Sequence, residues 1–557
     1  MTSLDQFISE SARSYLQSVV YVDDKIYVTN TGLDEMSPSG IPVARDPFAA
    51  TENLSDGEPP TSSDGSASSE DANQDFDRSV ADLAEFHPKE LMDSFAKMGI
   101  VCALYEPSEG ELVNTDSQIY NLCQKADIVV LDWDLFNDGG SKVSELISIL
   151  IKQSASAKPH YVRLCSIYTN QPDLLLTARS LLETLVTTYG CTDVQFDEDN
   201  LQLVSGATRI SILGKPRVPG RPPEVESQFV VEERKLAERL LRDFCEMHKG
   251  LLSGLALKGL ASIRMNTKRL LDKFSCNLDG AFLLHRALVK HDREALDELP
   301  ELLADELSAI IEDSLMRDFD YESVTNEIID SLHLADPGDR KPYDEAAIRQ
   351  ELKDGLGRNV KKAAVLRYGV MVGDSEHSSS EKLGHLFINR TQYLEDSPSL
   401  KFGTVVKHKK SSDECWEYSV CLMPICDSRR RSSPETVNPS MSYPFWRLNK
   451  AIKSTASGLQ LKYAIVVEDQ AMTISLGMGG KIRDMLWLAD VRLGEDGWAR
   501  ASASSLKYES VDAANDIQWV AQLKPLHAQR ISSYVGSEAS RVGLIESDWL
   551  RRLCDKN

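Results

Sequence analysis

Three acids, a hydroxyl and a lysine stand at the ends of apolar, strand-like runs. Asp23 and Asp24 close SVVYVDD, Asp132 closes ADIVVLD, Thr169 closes LCSIYT and Lys215 closes RISILGK. Clustered carboxylates suit a hard divalent cation; magnesium needs only one or two of them beside water and phosphate oxygens. A carboxylate next to such a cation can attack phosphorus, because the charge of an anionic donor must be neutralised before an anion approaches it. A lysine supplies a second cation, and a threonine hydroxyl a hydrogen bond to a phosphoryl oxygen. Any one of these residues alone reads as a cap or a solvated acid. All five together, each at a strand end, read as a phosphate-accepting site.

The elements that must hold them alternate between strand and helix. A short helix near residues 3 to 16 precedes a buried strand at Ser18 to Val22, a compact β-branched and aromatic run stopped by two acids. From about Thr29 to Asp77 the chain is rich in Ser, Asp, Glu, Pro and Gly, with too little apolar material to offset the entropy of ordering it. This predicts a disordered acidic insertion over about 30–80. Order resumes with a helix near His87 to Met98, strand GIVCALYEP, helix DSQIYNLCQKA, strand DIVVLDWD and helix SKVSELISILIKQ. Strand HYVRLCSIYT, helix PDLLLTARSLLETLVTTYG and strand RISILGK follow, with an added hairpin over about 192–210 turning at Asp197 to Asn200. Short-looped alternation of this kind favours parallel strands covered on both faces, with ligands at the carboxyl ends of the strands.

The order and flanks of the five residues resemble the receiver domain of two-component signalling, with the acceptor in VVLDWD and the lysine in GKP at Gly214 to Pro216. The resemblance implies an α/β, flavodoxin-like, five-stranded parallel domain with Mg2+ as cofactor. It implies that Asp132 is the phosphoacceptor and a metal ligand, that Asp24 ligates directly, and that Asp23 acts largely through a water. Asp134 would contribute its backbone carbonyl, Lys215 would pair with Asp132 and then with the phosphoryl oxygens, and Thr169 would donate its hydroxyl. The only reaction implied is metal-dependent self-phosphorylation and dephosphorylation at Asp132, so the protein reads as a phosphoacceptor and not an enzyme. Two departures stand out. The first and last intervals between site residues are longer than in ordinary receivers, which the acidic insertion and the hairpin account for. Ile212 occupies the position, three before the lysine, where receivers carry an aromatic switch, with Tyr168 beside Thr169 as a substitute or as packing.

The 557 residues call for more than one domain, and 42% hydrophobic content makes them globular. The expected organisation is a receiver over 1–221, a helical module over 222–356 and an α+β domain over 357–557 with a small, barrel-like sheet. Between the first two, VPGRPPEVE reads as a linker. The middle segment carries apolar residues at three and four spacing, as packed helices do. The start of the chain lacks the pattern of a signal peptide, and no apolar run approaches the roughly 18 residues that span a bilayer, so a cytoplasmic protein is expected. Ten cysteines fall without zinc spacing or paired CxxC, which leaves buried thiols as the reading.

A net charge of −24 argues against nucleic acid as the main partner, despite basic runs at Lys407 to Lys410 and Arg429 to Arg431. His248 and His291 lie in the helical segment without the flanks of a phosphotransfer histidine. Cys426, with Asp427 next to it, and His527 form at most a Cys/His nucleophilic pair whose geometry sequence does not fix.

The stretches YSVCLMPICD and LKPLHAQRISSYVGSEASRVGL resemble the C-terminal part of receiver proteins from Detocs-type antiphage phosphorelays. That resemblance implies the effector-less member of such a system. It would take phosphate from a sensor histidine kinase, beside a receiver-containing effector that competes for it, with dimerisation through the helical module possible. Two other readings stay open: a DNA-binding response regulator with an atypical output domain, and a catalytically silent receiver scaffold.

Overall fold

The computed structural model describes residues 3–26, 88–155, 162–288, 292–318, 320–332, 344–355, 378–392, 398–410, 415–424, 440–450, 464–467, 470–474, 485–492, 499–502, 506–508 and 515–539. The expected acidic insertion, His291, Cys426, Asp427 and Arg429 to Arg431 lie outside them. The chain forms two compact units, one of residues 1–273 with 305–324, the other of 274–304 with 325–557.

The first unit runs α1 (Ser3–Tyr15), β1 (Ser18–Val22), α2 (Pro88–Ala96), β2 (Val101–Tyr105), α3 (Gln118–Cys123), β3 (Ile128–Leu131), α4 (Ser141–Ala155), β4 (Arg163–Thr169) and α5 (Leu174–Thr187). It continues through β5 (Gln195–Asp197), β6 (Gln202–Ser205), β7 (Thr208–Gly214), α6 (Pro223–Phe229), α7 (Glu233–Met247), α8 (Leu251–Met265) and α9 (Thr267–Lys273). Its sheet has the order β2-β1-β3-β4-β7-β6-β5, in which β2, β1, β3, β4 and β7 are parallel. The fold is therefore mixed α/β with a mostly parallel sheet.

Seven strands, not five, make up this sheet. The five parallel strands are joined at the sheet edge by the added hairpin, with β6 antiparallel to β7 and β5 antiparallel to β6. Its alternating apolar residues supply a reason, since Leu203 and Leu201 are buried in the same core as Ile210 and Ile212. Hydrogen bonding to β7 also covers an edge that would otherwise present unpaired backbone groups.

Alternation along the parallel strands builds two cores, as expected for strands buried on both sides. Val20, Val22, Val129, Leu131, Cys165, Ile167, Ile210 and Ile212 face α3, α4 and α5. Val19, Tyr21, Ile128, Val130, Leu164, Tyr168 and Leu213 face α1, α2 and α7, where Leu236, Leu240 and Phe244 meet them; Leu257 of α8 joins the same cluster. The first domain was expected to end near Arg221, yet α7 and α8 lie beyond it and still complete this core. Stripping them off would expose the second face of β4 and β7.

In the second unit every described strand pair is antiparallel, in a ten-stranded sheet that includes β9 (Thr404–Lys410), β10 (Glu417–Cys421), β11 (Ser440–Lys450) and β17 (Asn515–Leu523). The sequence of VAQLKPLHAQRISSYVGSEASRVGL reads as helical throughout, yet the described helix begins only at Pro525 and runs to Ala539. The residues before it belong to β17, whose Trp519 and Ala521 pair with β9. Proline at a first helical position explains the boundary, having no N–H to lose there. Ala528, Ile531 and Val535 of this helix pack on Val405, Val420 and Leu523 of the sheet.

Candidate functional site

Parallel pairing sets the site. Val22 is in register with Leu131, and Asp132 N donates to Val22 O at 2.9 Å, which brings Asp23 and Asp24 beside Asp132. Thr169 is in register with Gly214, and Lys215 N donates to Thr169 O at 2.8 Å. β1 connects outward to β2 on one side and lies beside β3 on the other, so the three acids occupy the point where strand order reverses. Crevices of doubly wound sheets form there.

Carboxylate oxygens of Asp23, Asp24 and Asp132 lie within 4.8 Å of one another. Asp23 is almost wholly buried and is held three ways. Its Oδ2 accepts from Tyr21 Oη at 3.1 Å and from Lys215 Nζ at 2.7 Å, and its Oδ1 accepts from Lys25 N at 2.9 Å. Asp24 Oδ2 accepts from Phe136 N at 2.9 Å. That donor is aimed by an unusual backbone: Phe136 has φ 60° and Asn137 φ 56°, a left-handed conformation that costs a non-glycine residue about 1–2 kcal/mol.

Lys215 Nζ also lies 3.1 Å from Asp132 Oδ1, which is buried and accepts no hydrogen bond. Asp24 Oδ1 is likewise buried without a hydrogen bond. Asp24 Oδ1 thus has no hydrogen-bond partner among the described residues and Asp132 Oδ1 has only the Lys215 ammonium beside it, an arrangement of buried carboxylates that a further cation would relieve. Burial holds the Asp132 carboxyl above its usual range; Lys215 opposes this, while Asp23 and Asp24 add to it. Burial pulls Lys215 down, but Asp132 and Asp23 outweigh it and keep the ammonium above its ordinary value.

Three carboxylates that offer oxygen donors alone, with one ammonium among them, fit a hard divalent cation of the magnesium type. Asp24 and Asp132 would hold it through those oxygens, with Asp23, already committed to Lys215, in support. Asp134 turns its side chain to the loop, where Oδ1 accepts from Gly139 N at 2.8 Å. The loop then closes against Trp133: a Cβ on Gly140, whose φ is +87°, would meet the indole at 2.2 Å.

Thr169 is buried beside Lys215, and its Oγ1 accepts from Gln171 N at 3.1 Å. Ile212 is a core residue, its amide bonded to Leu201 O at 3.0 Å, so the usual place of an aromatic switch is filled by fixed aliphatic packing. Tyr168 is no freer. Its hydroxyl donates to Val231 O at 2.6 Å, and its ring meets Tyr21 edge-on with centroids 6.5 Å apart. His248 caps α7, with Nε2 buried and no hydrogen bond to it, and its ring packs on that of Phe244 with centroids 4.7 Å apart.

Sequence reasoning missed Arg221, which it placed in a linker. Arg221 is buried, and its guanidinium donates to Lys215 O, to Thr169 O at 2.9 Å and to Gln171 O at 2.7 Å. The Gly-Arg-Pro-Pro setting reads as loop chemistry, and nothing in it reveals a tertiary partner. Only the apposition of β4 and β7 does.

Residues 15–220 match the family model described as a response receiver domain. The match covers the sheet, the acid cluster, Thr169 and Lys215, and well under half of the chain. No curated protein and no solved structure matches the chain. Among the described residues, no helix is long and apolar enough to cross a membrane.

Proposed function

We propose that the protein is a response receiver that accepts a phosphoryl group on Asp132. The observation that carries this reading is the convergence of Asp23, Asp24, Asp132 and Lys215 in one buried pocket, where three carboxylates share a single ammonium, inside a receiver domain. Magnesium, when bound, neutralises charge on the acceptor and on the incoming phosphoryl group. The remaining work belongs to the chain. Asp132 Oδ attacks phosphorus; the new O–P bond replaces the P–N bond of a phosphohistidine donor, whose imidazole leaves carrying a proton. Lys215, between Asp23 and Asp132, is placed to move its ammonium onto the phosphoryl oxygens. Thr169 then turns its hydroxyl from accepting the Gln171 amide to donating to phosphate. Hydrolysis returns Asp132 and inorganic phosphate, so the chain is a phosphoacceptor acting on itself.

The donor class that fits is a sensor histidine kinase, since receivers take phosphate from such proteins. The likeness of the C-terminal stretches to Detocs-type receiver proteins supports a role in antiphage signalling, in the position of the effector-less DtcB-like member. There the chain would drain phosphate from a receiver-containing effector. The roles of Asp24, of Asp23 and of the Asp134 carbonyl toward the metal belong to the same reading, as does a location in the cytoplasm with the kinase.

Incubation with Mg2+ and a small phosphoramidate or acyl-phosphate donor tests it. The expected product is an acid-stable, base-labile phosphoprotein that retards the chain in a phosphate-affinity gel. Absence of that species, or its persistence in Asp132→Asn, would contradict the proposal.

A further inference from the structure

We propose that Arg221 is a positioning residue that fixes Thr169 and Lys215 around the phosphoryl group on Asp132; this rests on the phosphoacceptor reading. The two residues that contact phosphate from the protein side sit on different strands, at the ends of β4 and β7. Beyond those ends the strands' own ladder stops at Lys215 N to Thr169 O, and nothing in the sheet sets the spacing of the loops that follow. Arg221 does. Its guanidinium reaches the carbonyls of Thr169, Gln171 and Lys215 at once, with Nη2 shared between Thr169 O at 2.9 Å and Gln171 O at 2.7 Å, and Nε also at 3.2 Å from Gln171 O. A planar fork of five donors holds three acceptors in fixed directions, which a single ammonium does not.

The surroundings are built to admit that fork. Gly214 lies directly beneath it, where a Cβ would come within 2.5 Å of Arg221 Nη1 and 2.8 Å of Cζ. The chain enters through Gly220 at φ +90° and leaves through Pro222 and Pro223, the latter opening α6. Arg221 makes its hydrogen bonds to backbone oxygens and none to the three acids, so its influence on chemistry runs through the hydroxyl and the ammonium alone. The consequence is a separable one: loss of Arg221 should impair transfer while leaving metal binding in place. This also supplies a link between the site and α6 in a domain where Ile212 is locked in the core.

The test uses the full chain as wild type, Arg221→Ala, Arg221→Lys, Gly214→Ala and the Gly214→Ala/Arg221→Ala double variant. Aspartyl phosphate formation is followed against donor concentration, and Mg2+ affinity by calorimetry. Misplacement of reacting groups on this scale costs about tenfold or more in rate. The expected result is a maximal rate lowered about tenfold in Arg221→Ala with Mg2+ affinity within about twofold of wild type. Arg221→Lys should not restore it, whereas added guanidinium ion should restore part. Gly214→Ala, which displaces the guanidinium without removing it, should reproduce the loss, and the double variant should be no slower than Arg221→Ala. Should Arg221→Ala fail to fold, Gly214→Ala carries the test. Wild-type rates in either single variant, additive losses in the double variant, or loss of Mg2+ affinity in step with rate would overturn the inference alone. A wild type that takes no phosphate would overturn the phosphoacceptor reading and this inference with it.

Discussion

Lys215 Nζ lies 2.7 Å from Asp23 Oδ2, nearer than its 3.1 Å approach to Asp132 Oδ1, so the lysine's tightest partner is Asp23 and not the proposed acceptor. The arrangement leaves Asp132 with the ammonium alongside its Oδ1, at the longer of the two distances. Removing one member of a buried pair strands the other in a poor solvent. Lys215→Met should therefore destabilise the first unit by about 3–5 kcal/mol in urea denaturation without Mg2+. A loss below about 1 kcal/mol would show that the pair is solvated.

A cation held by the gathered carboxylates of Asp24 and Asp132 binds the folded state and not the unfolded one. Mg2+ at about 100 times its Kd should then add about 2.7 kcal/mol of stability. Asp24→Asn, which keeps an acceptor for the Phe136 amide but lowers the charge, should weaken that response in thermal melts. An unchanged Tm increment in Asp24→Asn would place the metal elsewhere.

The loop after the acceptor is shaped by Gly140, at φ +87° with the Trp133 indole against its α-carbon. Gly140→Ala combines backbone strain with a direct clash. About 2–4 kcal/mol of destabilisation is expected, with Trp133 driven from its buried position, visible as a red-shifted emission. Tolerance of alanine at wild-type stability would mean that the loop is not held as described.

His248 supplies a pH signature. Burial, helped by Arg209, holds its imidazole below the ordinary histidine value of 6.5. The folded state thus binds a proton less readily than the unfolded chain, so the stability this group contributes is present above about pH 6.5 and is lost as pH falls through its lowered pKa. Urea midpoints taken between about pH 7.5 and 5 should fall more steeply in wild type than in His248→Phe, which keeps the ring contact with Phe244. Parallel curves would contradict the burial of Nε2.

Much of the site was legible because its residues sit where strands stop. Asp23, Asp24, Asp132, Thr169 and Lys215 each interrupt an apolar run, and parallel strands in a doubly wound sheet bring such ends together whatever the loop lengths between them. The long intervals did not disturb this: the hairpin lies at the sheet edge, past β7. What escaped was non-local. The pairing of β6 with β7 depends on an edge being available, and α7's place in the core it shares with α1 and α2 depends on the face left open by β4 and β7, whereas the periodicity of ERKLAERLLRDF says only that it is an amphipathic helix. Arg221 is the sharpest case, since a single arginine among glycine and prolines carries no local sign of the three carbonyls that await it. At the last helix the difference is local instead, with VAQL read as helical through Pro525 although a proline suits a helix's first turn and not its interior.

The central claim is that Asp132, and neither neighbouring acid, carries the phosphoryl group. Reductive trapping with borohydride converts an aspartyl phosphate to homoserine, and peptide mass spectrometry of the trapped protein then reports the position. After incubation with Mg2+ and a phosphodonor, the homoserine should replace Asp132 in the peptide that contains Trp133. Homoserine at Asp23 or Asp24, or none in a protein that binds Mg2+ normally, would contradict the account.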